Sequence, residues 1–129
     1  MKIRILCIII VLFLAYGLSA EEGRQVITVN YPPDRTIMEF GILSMSLSVP
    51  KGSADSIRIL VNDREKLRMI PDSEFECFSV PLTAGINRIN ITAQKEKTAV
   101  DSIAMSVFRR SDLESAYKNP PQGFQKDYF

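Results

Sequence analysis

Histidine is absent from all 129 residues. The commonest general base and the commonest metal-binding side chain are therefore missing together. A Ser–His nucleophile cannot be built, and no Gly-x-Ser-x-Gly turn occurs to present one. Asp72, Glu74 and Glu76 make a small acidic group. A paired-carboxylate hydrolase would need two such acids fixed at a set separation in a cleft. A calcium site would need oxygens from several loops, with Asp55, Asp63 and Asp101 brought in from elsewhere. A solvated acidic face is the simpler expectation. No catalytic residue, no cofactor and no metal ligand is expected, and the chain is not expected to be an enzyme.

The cysteines are Cys7 and Cys77. Cys7 lies inside an apolar run, Ile5 to Leu18, that follows the basic start Met1-Lys2-Ile3-Arg4. The run is shorter than the roughly 20 residues a membrane-spanning helix needs. It ends in the small residues of Gly17-Leu18-Ser19-Ala20, before Glu21-Glu22. This is the pattern of a secretory signal peptide covering residues 1–20, with cleavage after Ala20. Export to a periplasm or cell surface follows, without membrane insertion after cleavage. Cys77 would then be the single thiol of the mature chain, so no internal disulfide can form. It shares a register with Phe75, and free cysteine is among the most buried residue types. Cys77 is expected in the core.

Loss of Lys2 and Arg4 leaves 14 basic against 15 acidic residues. The arginines are scattered among equally scattered acids. Nothing in that balance favours nucleic acid or an anionic membrane as partner.

The elements that would carry any site are strands. Apolar residues alternate with polar ones at a period of two. Strands are expected at 25–31, 42–49, 56–61, 66–70, 74–82, 86–94 and 98–108. Their inward sets include Leu43, Met45, Leu47 and Val49, then Ile57, Ile59 and Val61. Ile89, Ile91 and Ala93 follow, with Ile103, Met105 and Val107 closing the set. Asn62-Asp63 and Lys95-Glu96-Lys97 read as hairpin tips. Within 74–82 the apolar register changes from Phe75 and Cys77 to Phe78, Val80 and Leu82. That change predicts either a bulge near 77–79 or an exposed Phe78. Residues 111–129 contain Asn119-Pro120-Pro121-Gln122-Gly123 and little periodicity. They read as a tail or linker, with a short helical turn at 111–118.

Seven short strands with turns between them indicate an all-β, immunoglobulin-like antiparallel β-sandwich over residues 21–110. Specific residues carry a resemblance as well. They are Pro33-Asp34-Arg35-Thr36, Val61-Asn62-Asp63, Val80-Pro81-Leu82 and, above all, the run from Leu82 to Ala93. In that run Gly85, Asn87, Ile89, Ile91 and Ala93 fit Leu-x-x-Gly-x-Asn-x-Ile-x-Val-x-Ala. Residues 32–108 thus resemble bacterial immunoglobulin-like modules of the glucodextranase B-domain type, which implies a spacer or binding platform in an exported protein. Asp63 departs from that pattern, which usually has Gly there. The Pro-Pro-x-Gly-Phe tail is similar to the lead-in of haem segments in exported multihaem cytochromes. With no Cys-x-x-Cys-His, this chain cannot attach a c-type haem itself.

The expected role is a non-catalytic interaction or structural module of the cell envelope, with another envelope protein as partner. Phe78, Phe124, Tyr128 and Phe129 are the expected contact residues. A carbohydrate-binding accessory module is the alternative; the absence of Trp disfavours a glycan partner. A truncated or accessory front end of a multihaem cytochrome is the third.

Overall fold

The computed structural model describes residues 25–110 and 121–126. Their alternating segments form nine strands and, among them, no helix. These are β1 (Thr28–Tyr31), β2 (Thr36–Met38), β3 (Ile42–Ser48), β4 (Ser56–Val61), β5 (Arg64–Met69), β6 (Phe75–Pro81), β7 (Gly85–Lys95), β8 (Thr98–Arg109) and β9 (Gln125–Lys126). Three strands make one sheet in the order β1-β3-β6, and six make the other in the order β5-β4-β7-β8-β2-β9. The signal peptide expected at 1–20, the helical turn expected at 111–118, and Tyr128 and Phe129 lie outside the described residues.

The inward sets read from the alternation meet in one core. Leu43, Leu47, Ile57, Ile59, Ile89, Ile91, Ala93 and Val107 are completely buried, joined by Met45, Val49, Val61 and Val80. Leu67, Met69, Phe78 and Ile103 pack against this cluster from its margins. Full burial of each Leu, Ile, Val or Met side chain in that core contributes roughly 1.5–3 kcal/mol. The molecule is a β-sandwich, and with no disulfide among these residues the apolar layer is its main source of stability.

Three features depart from the expected seven antiparallel strands. First, β2 and β9 are additional, and both pairings of β2, with β8 and with β9, are parallel. Strands of three and two residues are too short for a period of two to show in sequence. Second, the irregular tail is partly built into the sheet. Gln125 N–H donates to Arg35 O at 2.9 Å, and Phe124 sits edge-on to Phe108, with ring centroids 6.2 Å apart. Third, β3 and β6 pair without interruption from Ile42↔Pro81 to Ser48↔Phe75, so there is no bulge at 77–79. The bulges fall elsewhere, at Asn30, Lys66 and Val100, where one strand carries an extra residue.

The crossing from the small sheet to the large one follows β1. Pro33-Asp34-Arg35-Thr36 makes that turn and is tied to β8. Arg35 N–H donates to Ser106 O, Ser106 N–H donates to the Asp34 carboxylate, and the Thr36 hydroxyl donates to Pro33 O. Asp101 does similar work nearby: its Oδ2 accepts the N–H groups of Val26 and Ile27, both at 2.8 Å. This holds the buried Val26 and Ile27 against the large sheet before the chain enters β1.

Candidate interaction surface

The outer face of the small sheet is set by the parity of β3 and β6. Because Leu43, Met45 and Leu47 point inward, Ile42, Ser44, Ser46 and Ser48 point outward. Their register partners on β6 are Pro81, Ser79, Cys77 and Phe75. The result is a face of small hydroxyl side chains with large apolar groups at its corners. Phe75 is 66% exposed and Ile42 64% exposed. Ser44 and Ser79 hydroxyls lie 3.4 Å apart across the ladder, and Asn30 donates to the Ser48 hydroxyl at 2.7 Å. Between the serines is a shallow hollow of about 440 Å³, bordered by Tyr31, Ser44, Ser46, Cys77 and Ser79.

This parity corrects two expectations about β6. Cys77 is exposed, not buried. Phe78 is half-buried and packs on the core together with Val80. The free aromatic ring of this strand is Phe75. The signal that identifies it is the unbroken strand: without a bulge, Phe75 must lie opposite in parity to Val80. Of the other expected contact residues, Phe124 is half-buried beside Phe108. Tyr128 and Phe129 fall outside the described residues. Phe40 and Ile70 are also strongly exposed, although no sequence motif marks them.

The lower end of the sandwich, where β4 turns into β5 and β6 runs into β7, is organised by a polar cluster. Gly85, with φ +90°, has open space where a Cβ would be, so backbone conformation is what a side chain would strain there. Asn87 is completely buried. Its Oδ1 accepts Thr83 N–H (2.9 Å), the Thr83 hydroxyl (3.1 Å) and Asn62 Nδ2 (3.2 Å). Its Nδ2 donates to Thr83 O (2.8 Å) and Gly85 O (3.1 Å). Asn62 in turn accepts Arg88 N–H at 2.9 Å. Asn62 and Asp63 both have positive φ, 51° and 65°. Asp63 therefore takes the turn shape that Gly would take, and the hairpin keeps its form despite the departure from the family pattern. Beside this cluster is a second hollow, about 390 Å³, with Val61 and Leu82 at its floor and Arg64 and Lys66 at its rim.

On the outer face of the large sheet, Glu65 accepts from Arg58 (3.0 Å) and from Arg68 (2.9 and 3.0 Å). The Arg68 hydrogen bond, with the charges of Arg68 and Arg58, holds the Glu65 carboxyl below its ordinary range, and the same contact raises Arg68. Among the described residues, no three acids or thiols gather closely enough to hold a metal ion. Glu76 is engaged locally, accepting the N–H groups of Asp72 and Ser73.

No protein-family model matches the chain, and no curated protein matches it. Solved structures do share its fold. A crystal structure of an FMN-binding β-glucuronidase from Facaelibacterium prausnitzii L2-6 superposes with a TM-score of 0.52 at 12% identity, over 73% of this chain and 13% of that one. The fibronectin(III)-like modules of Clostridium thermocellum CbhA give a TM-score of 0.51 at 11% identity, over 65% of this chain and 96% of theirs. The chain is thus similar to a small part of the glucuronidase and to nearly the whole length of a fibronectin(III)-like module. At these identities the likeness is one of fold alone: an immunoglobulin- or fibronectin-like β-sandwich.

Proposed function

We propose that this chain is an exported, non-catalytic module of the cell envelope, and that it binds another envelope protein through the outer face of its small sheet. The observation that carries the reading is the composition of that face. Ile42 and Phe75 stand out from a flat field of serines, where burial against a partner would remove apolar surface from water at little side-chain entropy cost. The fold supports it, since sandwiches of this type serve as platforms on which function is placed by surface residues. Export is supported by the basic start, apolar run and small-residue exit of residues 1–20.

The test is site-specific photo-crosslinking in cells, with the reactive residue at Ile42 or Ser44 and a control at Ala104, exposed on the opposite sheet. The reading requires a covalent adduct with one envelope protein from positions 42 and 44 and none from 104. Absence of an adduct at both, or equal labelling at 104, overturns it. A glycan-binding role has one specific support, Tyr31 beside the serine-lined hollow. A glycan array probed with the wild-type chain and Tyr31→Ala decides it.

A further inference from the structure

The two ends of β6 lie beside side chains of opposite charge, and its edge is unpaired among the described residues. Val49 N–H donates to Glu74 O, and Leu82 N–H donates to Gly41 O. The even-numbered residues of β6 therefore hydrogen-bond to β3. The N–H and C=O groups of Phe75, Cys77 and Ser79 must point the other way, along the edge of the small sheet. Sheets ordinarily blunt such an edge with a charge, a proline or a covering segment. Here the one proline of the strand, Pro81, closes only its last position.

Asp72 and Glu74 precede the start of β6, and Arg64 and Lys66 border the hollow at its far end, beside Pro81 and Leu82. None of these four makes an ion pair among the described residues. An antiparallel neighbour identical to β6 would bring the acidic end of each copy to the basic end of the other.

The geometry points to a two-fold dimer in which β6 pairs antiparallel with β6 of a second copy, joining two three-stranded sheets into one of six. Pro81 selects the register. With the axis at Cys77, Phe75 faces Ser79 of the second copy, and all three pairs can exchange backbone hydrogen bonds. With the axis one residue later, Pro81 would face Phe75 and, having no N–H, would leave the Phe75 carbonyl without a donor. In the favoured register Glu74 and Asp72 lie opposite Val80 and Leu82 of the second copy, within reach of its Arg64 and Lys66. The serine face stays open on the outside of the joined sheet, so this pairing is independent of the function proposed above.

Sedimentation equilibrium of the purified chain from Glu21 to Phe129, as it would stand after export, tests the dimer, with two charge-reversed variants, Arg64→Glu/Lys66→Glu and Asp72→Lys/Glu74→Lys. All four positions are exposed, and circular dichroism confirms that each variant is folded. The wild type is expected to dimerise. Each variant alone should associate about tenfold or more weakly, and an equimolar mixture of the two should recover dimer, because every contact across the axis is then attractive. A short bis-maleimide should link the wild-type dimer through Cys77, since residues facing each other in a hydrogen-bonded antiparallel pair have Cα atoms about 5.5 Å apart. A wild type that stays monomeric up to its solubility limit overturns the proposal. So does a dimer that both variants leave unchanged, or a mixture that fails to associate.

Discussion

Two regions of β6 and its continuation, a few residues apart, treat their polar groups in opposite ways. At the Thr83–Asn87 corner every donor and acceptor of the Asn87 amide has a partner, in a site completely shielded from water. Along the Phe75–Ser79 edge the outward backbone groups are left for solvent or a second strand, and the side chains are small or exposed. The corner locks the ends of β4, β6 and β7 together. The edge and the face beside it hold little of the fold and are free to make contacts. The corner thus holds the fold together, and the interaction proposed above would fall on the edge and face of β6 instead.

The sharpest way to break this contrast is Asn87→Ala. It leaves Thr83 N–H and the carbonyls of Thr83 and Gly85 without their buried partner, and should lower stability by about 3 kcal/mol in urea unfolding. Asp101→Ala removes the acceptor for Val26 and Ile27 N–H, with an expected loss of about 1–2 kcal/mol and earlier proteolysis of the N-terminal segment. Asp63→Gly acts in the other direction. Relief of the left-handed backbone at φ 65° should raise stability by about 0.5–1 kcal/mol. At the edge, Cys77→Ser should change the unfolding midpoint by no more than about 0.5 kcal/mol, as expected of an exposed position; a larger loss would show that the thiol is part of the core after all.

The smallest expected effect is electrostatic. Glu65 has a carboxyl held below its ordinary range by Arg68 and Arg58. A depressed folded-state value means that the contribution is present at neutral pH and lost as pH falls through the folded value. Because the group is exposed, screening keeps it slight. Glu65→Gln should flatten the acid-side slope of stability at low salt, and the difference between the two chains should vanish at high salt.

Most of the inward residues were legible in the sequence. Where a strand runs six residues or more and one face is buried, alternation leaves little choice, as in β3, β4 and β7. Gly85 and Asn87 were legible too, because a positive φ and a strand-start amide have residue signatures. The full reach of Asn87 was not. Its link to Asn62 joins residues 25 apart in sequence, and only folding brings them together. The same limit applies to Asp101, whose Oδ2 accepts from Val26 and Ile27, more than 70 residues away.

Strand β6 shows where the boundary falls. Phe75, Cys77, Phe78, Val80 and Leu82 offer two registers, and composition alone favoured burying the cysteine. Pairing with β3 decided the matter, because an unbroken ladder fixes one parity for the whole strand. The sequence by itself determined an all-β sandwich, its main inward residues and its turn positions, since these rest on local period and backbone preference. Tertiary structure alone decided the short parallel strands β2 and β9, the docking of Phe124, and which face of β6 meets water. Those depend on contacts between residues far apart in the chain, and a period of two carries no information about them.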